Sequence, residues 1–67
     1  MKEQLKKLRE AANLTQQEAA VLIGVGQSTI SMWETGGSIP QTKMLTKIAE
    51  VYGCSISQIF DFNETEA

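Results

Sequence analysis

The side chains best suited to form hydrogen bonds without carrying charge stand together in the run "QSTIS" at residues 27–31. No charged residue lies between Glu18 and Glu34. Amide and hydroxyl groups both donate and accept hydrogen bonds, which suits them to the recognition of a polar partner. Without a neighbouring base, hydroxyl groups are weak nucleophiles. The run therefore favours recognition over catalysis.

The other reactive residue types of the chain are few. The sequence has no histidine and a single cysteine, Cys54. A Ser-His-Asp set and a Cys-His pair are therefore excluded, and a zinc site lacks soft ligands. We expect no enzyme activity, no metal and no cofactor.

The length of 67 residues allows one domain with one small core. The apolar share of 42% and the charged share of 21% are those of a globular protein. The chain opens with an amphipathic pattern rather than an apolar leader, and no apolar run approaches the roughly 20 residues that cross a bilayer. We expect a cytoplasmic protein.

The polar run needs elements that hold it in place, and the sequence predicts an all-α fold. Helical periodicity and end signals predict helices at about 2–12, 16–23, 27–35 and 41–52, with a short fifth helix after Ser55. Thr15 with Glu18 forms a capping box that starts the second helix, and Ser55 with Gln58 forms another at the fifth. Asn13 suits the left-handed residue that ends the first helix.

Apolar residues at helical spacing are predicted to fill one core. They are Leu5, Leu8, Ala12, Ala19, Ala20, Leu22, Ile23, Ile30, Trp33, Leu45, Ile48, Ala49 and Tyr52. The fifth helix carries Ile56, Ile59 and Phe60. Tyr52 and Cys54 are interpreted as packing at the end of the fourth helix. For Trp33, we favour a place in the core because it shares a helix face with Ile30.

The second and third helices are separated by the three residues Gly24, Val25 and Gly26. Two helices that cross steeply over so short a turn need a small residue at the crossing and a residue free to adopt positive φ at the turn. Ala20 and Gly24 meet these needs, four positions apart. The apolar residues around the turn can anchor the outer helix. The pattern predicts a helix-turn-helix.

The segment "LTQQEAAVLIGVGQSTISMWETG" resembles the DNA-binding domain of the Cro/repressor-type (XRE) helix-turn-helix family. The resemblance continues through "IPQTKMLTKIAEVYGCSISQIF" and covers nearly the whole chain. It implies a compact, five-helix, lambda-repressor-like domain that binds double-stranded operator DNA as a two-fold dimer and regulates transcription. We expect this domain to cover residues 1–62, followed by a disordered tail at 63–67.

The resemblance also gives the polar run a role, because the recognition helix of such a domain meets base edges in the major groove. The residues expected to contact bases are Gln27, Ser28, Ser31 and Met32. We expect Gln27 and Ser28 to be the principal readers, while the Met32 thioether suits a thymine methyl or a sugar. The residues expected to contact the DNA backbone are Gln16, Gln17, Thr29, Thr35, Gly37, Ser38 and Lys43. The alternative is that the same polar face is only solvated surface.

The charge distribution argues against strong binding to DNA. The net charge is −2, and residues 10–42 contain no lysine or arginine. The basic residues of the first helix, Lys2, Lys6, Lys7 and Arg9, are interpreted as a solvated face in preference to a phosphate-binding patch. We therefore expect weak monomer binding with a shallow salt dependence. The competing hypothesis is a protein-binding module or antitoxin-like subunit on the same fold.

The apolar residues near the C-terminus exceed what so small a core needs. We expect the fifth helix, with Ile59, Phe60 and Phe62, to form a homodimer contact. The alternative is that Phe60 belongs to the core and Phe62 to the tail.

Overall fold

The computed structural model of the chain describes residues 2–60, which contain five helices. They are α1 (Lys2–Ala11), α2 (Gln16–Ile23), α3 (Gln27–Thr35), α4 (Thr42–Tyr52) and α5 (Ile56–Phe60). No strand occurs within these residues. The predicted all-α fold is confirmed, and each helix bound lies within one residue of its prediction. The end of the predicted domain at residue 62 and the tail at 63–67 lie outside the described residues.

The starts of α2 and α5 are fixed by the two predicted capping boxes. The Thr15 hydroxyl accepts a hydrogen bond from the Glu18 N–H at 3.0 Å, and the Thr15 N–H donates to the Glu18 carboxylate at 2.9 Å. At α5 the Gln58 N–H donates to the Ser55 hydroxyl at 3.2 Å, and the Ser55 N–H donates to the Gln58 side-chain oxygen at 2.8 Å. Each box satisfies backbone amides that the first turn of a helix leaves without a partner.

The core is built from the inner faces of all five helices. Leu5, Ile30, Ile48 and Ile59 are fully buried at its centre. Around them are the buried residues Ala19, Ala20, Ile23, Trp33, Leu45, Ala49 and Tyr52. Leu8, Cys54 and Phe60 are half-buried and pack against this cluster. These positions confirm most of the predicted core, including the helix-end packing of Tyr52 and Cys54.

Two apolar side chains of the helices are exposed, and one of them, Leu22, was predicted to lie in the core. The side chain of Leu22 is 53% exposed, because Ala19, Ala20 and Ile23 define the inner face of α2 and Leu22 lies roughly 100° around the helix from its centre. Ile56 is 40% exposed, since it is the first residue of the single-turn α5. For α2, the helical spacing was right but the buried sector is narrower than predicted.

None of the helices in residues 2–60 has the length and apolar character that crossing a membrane would require.

Candidate functional site

The turn between α2 and α3 has the geometry predicted for it. Gly24 has φ 93° and ψ 32°, in the left-handed region. Its N–H donates to the Ala20 carbonyl at 2.7 Å, and the Val25 N–H donates to the same carbonyl at 3.0 Å. A Cβ at Gly24 would meet no heavy atom within 4 Å. Glycine is therefore favoured at this position by its backbone conformation and not by lack of space.

The crossing of α2 and α3 depends on small and apolar side chains beneath them. Ala19 and Ala20 on α2 are 0% and 3% exposed, and Ile30 and Trp33 on α3 are 0% and 6% exposed. Small residues on α2 let the backbone of α3 approach closely, while the two large side chains anchor α3 to the core. The predicted core position of Trp33 is confirmed.

The outer face of α3 presents the polar run to solvent. Gln27 and Ser28 are exposed, Thr29 and Ser31 are half-buried, and the Met32 side chain is 46% exposed. No side chain caps the first turn of α3, whose N-cap is Gly26. The exposed amide and hydroxyl of Gln27 and Ser28 therefore stand at the positive end of the α3 dipole. Such an end can meet a negatively charged or hydrogen-bonding partner.

The loop after α3 folds back beneath Met32. The Met32 carbonyl accepts hydrogen bonds from the N–H groups of Gly36, Gly37 and Ser38, at 3.0, 2.8 and 3.3 Å. The Thr35 hydroxyl also lies 3.4 Å from this carbonyl. One carbonyl thus gathers three of the predicted backbone-contact residues, Thr35, Gly37 and Ser38, at the C-terminal end of α3. Lys43 lies in the first turn of α4 and is exposed.

The predicted contact residue Gln16 has an internal partner at the C-terminal end of α3. Its side-chain N–H donates to Glu34 Oε1 at 3.1 Å, which places the first residue of α2 against the last turn of α3. The neighbouring Gln17 is exposed. An amide nitrogen carries two hydrogens, so Gln16 retains a second donor after this bond.

Glu34 also pairs with Arg9, which sequence reasoning placed on a solvated face. The Arg9 Nε and Nη2 atoms donate to the Glu34 carboxylate at 2.6 and 3.1 Å, and Nη1 donates to the Leu14 carbonyl at 2.8 Å. The two side chains are 9% and 4% exposed. Hydrogen bonding to Glu34 raises the pKa of Arg9. The interpretation of Arg9 as a solvated residue is wrong.

One signal in the sequence could have identified this buried position. Arg9 lies four residues after Leu5 and one after Leu8, so it shares the apolar stripe of α1. The other basic residues of α1, Lys2, Lys6 and Lys7, are exposed as predicted. Glu34 thus joins α1, α2 and α3 through one carboxylate.

The surface formed by α2 and α3 is close to neutral in charge. The described part of the chain contains a single ion pair, between Arg9 and Glu34, and α2 and α3 carry no cation. Within residues 2–60, no three His, Cys, Asp or Glu side chains form a group able to hold a metal ion. The site can therefore act through hydrogen bonds, helix dipoles and a few lysines at its edge.

The predicted dimer contact requires a correction. Ile59 is 0% exposed and belongs to the core of the monomer, so it has no surface to offer a second copy. Phe60 is half-buried and packs against the same core, and Phe62 lies outside the described residues. The exposed apolar side chain of α5 is Ile56.

An apolar surface that sequence reasoning missed lies on the outer side of α2. Val21 is 76% exposed, and with Leu22 and Leu14 it lines a shallow depression of about 490 Å³. Gln17 and Glu18 also line it. Helical spacing predicted that Leu22 is buried, so the sequence did not predict this exposed surface.

Known proteins resemble this chain along nearly its full length. The model of the helix-turn-helix family HTH_3 matches residues 5–59. An uncharacterized HTH-type transcriptional regulator of Archaeoglobus fulgidus is 39% identical over 66 residues, which cover 98% of this chain and 93% of the relative. The cryptic phage CTXphi transcriptional repressor RstR of Vibrio cholerae is 34% identical over 61 residues, 91% of this chain and 55% of the relative.

A solved structure shares the fold as well. The crystal structure of an HTH_3 family transcriptional regulator from Vibrio cholerae superposes with a TM-score of 0.81 at 32% identity. The match covers 97% of this chain and 36% of that protein, so this chain spans about a third of its length. The arrangement of α1 to α5 is thus that of about a third of a longer HTH_3 family regulator.

Proposed function

Because this chain belongs to the XRE-type helix-turn-helix family of DNA-binding transcriptional regulators, we propose that it reads one operator sequence in double-stranded DNA and represses transcription there. The observation that carries the proposal is the exposed, uncharged first turn of α3, held over α2 by the turn at Gly24. The relatives include both a transcriptional repressor and a transcriptional activator, so a reporter gene must decide the direction of regulation. The relatives come from archaea and bacteria, whose chromosomes lie in the cytoplasm, and this supports the cytoplasm as the location of the protein.

Base reading is assigned to four residues on the outer face of α3: Gln27, Ser28, Ser31 and Met32. The exposed Gln27 amide can pair with N6 and N7 of an adenine, and the Ser28 hydroxyl can bond to several base edges. Ser31 is half-buried, so only its outer side can take part. The exposed part of Met32 suits a thymine methyl or a sugar.

Backbone contacts are assigned to residues on both sides of α3: Gln16, Gln17, Thr29, Thr35, Gly37, Ser38 and Lys43. The Gln16 amide keeps one hydrogen for a phosphate while the other bonds to Glu34. Met32 holds the 36–38 loop in one conformation through its carbonyl. Contacts from the two sides would fix the register of α3 in the groove without reading sequence themselves.

The size of the domain supports a dimer on a palindromic site. Its principal extents are 34, 23 and 21 Å, so one copy can cover a single half-site. Two copies side by side can place their recognition helices one helical turn, about 34 Å, apart. With Ile59 in the core, we assign the dimer contact to the exposed surface of α5 around Ile56.

The experiment that tests this function is selection of random duplex DNA by the purified chain, run in parallel with Gln27→Ala and Ser28→Ala. We expect the wild type to enrich a palindrome and both variants to lose preference at specific positions. Thr46→Ala is the matched control, because it removes an exposed hydroxyl from α4 instead of α3. The control should select the wild-type sequence.

The outcomes separate the parts of the proposal. Enrichment of one half-site without a palindrome would overturn the dimer. A folded wild-type chain that enriches nothing would overturn operator reading and favour the protein-binding alternative, for which Val21 and Leu22 offer an exposed apolar surface. A reporter gene placed behind the selected operator tests regulation, and increased transcription would contradict repression.

A further inference from the structure

We propose that Lys2, at the start of α1, is a further DNA-backbone contact and supplies the positive charge that the loop after α3 lacks. This inference rests on the proposed function, since it adds a residue to the same surface. It differs from the sequence-based interpretation of Lys2 as part of a solvated face.

The position of the Lys2 side chain is the first support. It crosses from α1 to the end of α3 and lies against Gly36: a Cβ at Gly36 would be 3.0 Å from Lys2 Cδ and 3.4 Å from Lys2 Nζ. Lys2 and Ser38 also line one shallow depression on this side of the molecule. The ammonium group is therefore placed beside the loop whose residues are assigned to phosphate contacts.

The state of the ammonium group is the second support. Lys2 is exposed, and the single ion pair of residues 2–60 is that of Arg9 and Glu34. Glu3 lines the same depression without forming an ion pair with Lys2. The charge of Lys2 is thus available to an anion from outside the chain.

The charge pattern of the loop is the third support. Residues 10–42 contain no lysine or arginine, so the loop at 36–41 has no cation of its own. Hydroxyl and backbone N–H groups can position a phosphate, but release of counterions requires a cation. Lys2 from α1 and Lys43 from α4 are the cations that the fold brings to the two ends of this segment.

A purely structural role is the competing explanation. Gly36 ends α3, and a cation near the C-terminal end of a helix interacts favourably with the helix dipole. In that case Lys2 would stabilise the fold without touching DNA. The two roles predict different responses to salt.

The test compares Lys2→Gln with Lys7→Gln in binding to the selected operator over a range of salt concentrations. Both residues are exposed lysines of α1, so the two variants change net charge equally. We expect Lys2→Gln to lower the slope of log affinity against log salt by about 0.9 per bound monomer and to weaken binding roughly fivefold to tenfold per half-site at about 0.1 M salt. The loss should be uniform across operator variants, as for a phosphate contact. Lys7→Gln should retain the wild-type slope, and so should Lys2→Arg.

Several results would overturn the proposal. An unchanged slope in Lys2→Gln, with or without a lower melting temperature, would leave only the structural role. An equal loss of slope in Lys7→Gln would indicate the general field of the protein instead of a contact. A folded wild type that binds no DNA would overturn the proposed function itself, and this failure is visible before any variant is made.

Discussion

Arg9 and Glu34 carry the charged interaction that is most protected from water in the described structure. Burial of two charges costs free energy, which close hydrogen bonds and mutual attraction offset. The planar guanidinium suits this role because its Nε, Nη1 and Nη2 atoms donate in three fixed directions, here to Glu34 and the Leu14 carbonyl. The residue type alone does not reveal the role, since Arg9 follows three exposed lysines on α1.

Replacement of Arg9 by methionine is expected to destabilise the domain by about 3 kcal/mol, because it leaves the Glu34 carboxylate buried without its cation. Urea unfolding followed by circular dichroism measures the change. Lys7→Met is the control, since it removes an exposed cation from the same helix, and it should cost less than about 0.5 kcal/mol. The double variant Arg9→Met with Glu34→Leu should recover part of the loss. Equal stability of Arg9→Met and Lys7→Met would contradict the role of the pair.

Tyr52 gives the fold a dependence on alkaline pH. Burial, with a further contribution from the charge of Glu34, raises the pKa of its phenol from 10.0 to about 12. The folded state therefore favours the neutral phenol, so its contribution is complete below pH 10 and is lost as pH rises towards 12. We expect a loss on the order of 2 kcal/mol across this range.

Urea unfolding at both ends of that pH range, with Tyr52→Phe as the reference, measures the effect. Phenylalanine fills the same site without a titrating group, so the difference between the two chains removes the contributions of the lysines and Cys54. Tyr52 is the only tyrosine of the chain, and its absorbance reports its ionisation directly. A wild type and a Tyr52→Phe chain that lose stability in parallel would refute this assignment.

At the scale of the helices, the boundaries could be predicted because they depend on local chemistry. Thr15 with Glu18 and Ser55 with Gln58 start their helices through contacts within four residues. Which face of each helix is buried was harder to predict. Leu22 and Ile56 have helical spacing to buried neighbours, but whether a neighbouring helix covers them depends on packing that no local pattern encodes. The same limit hid the exposed surface at Val21.

At Gly24, in the turn between α2 and α3, the cost of a substitution is expected to depend on the backbone preference of the new residue and not on its size. Gly24→Ala should cost about 1–2 kcal/mol, because alanine is strained at φ 93° although a Cβ has free space. Gly24→Asn should cost less, since asparagine visits this region more readily. Thermal unfolding of both variants measures the difference.

Gly37→Ala provides the matched control for the turn. Gly37 does not have positive φ, and a Cβ there would meet the Met32 side chain at an ordinary 3.7 Å. Its effect should stay within about 0.5 kcal/mol. If Gly24→Ala were as stable as this control, the left-handed conformation of the turn would not limit stability.

At the scale of the whole molecule, the sequence predicted an excess of apolar residues but not their distribution. Ile59 fills the core, whereas Ile56, Ile39 and Val21 remain exposed on different sides. Which residues complete so small a core is decided by five helices together. The pattern of α5 alone therefore predicted that Ile59 lies on the surface, whereas the structure buries it in the core.

The scarcity of cations on the α2–α3 surface is expected to make binding weakly dependent on salt. The slope of log affinity against log salt should correspond to fewer than six phosphates neutralised by cations per monomer, a magnitude below about 5 for each half-site. Fluorescence anisotropy of labelled operator at several salt concentrations measures it. Random duplex DNA is the control, and its slope should be similar because phosphates are common to both. A steeper slope would reveal cationic phosphate contacts beyond Lys2 and Lys43.

The same cation-poor surface has a consequence for the search of a chromosome. Non-specific affinity comes almost entirely from phosphate neutralisation, and a genome offers about 10⁶–10⁹ competing sites. A protein with few cations on its reading face is titrated less by this excess of irrelevant DNA. If the chain reads an operator as proposed, more of its copies stay free, and its occupancy of that operator should follow its expression level closely. On that proposal, the neutral face of α3 would make the copy number of the protein an effective control of its target.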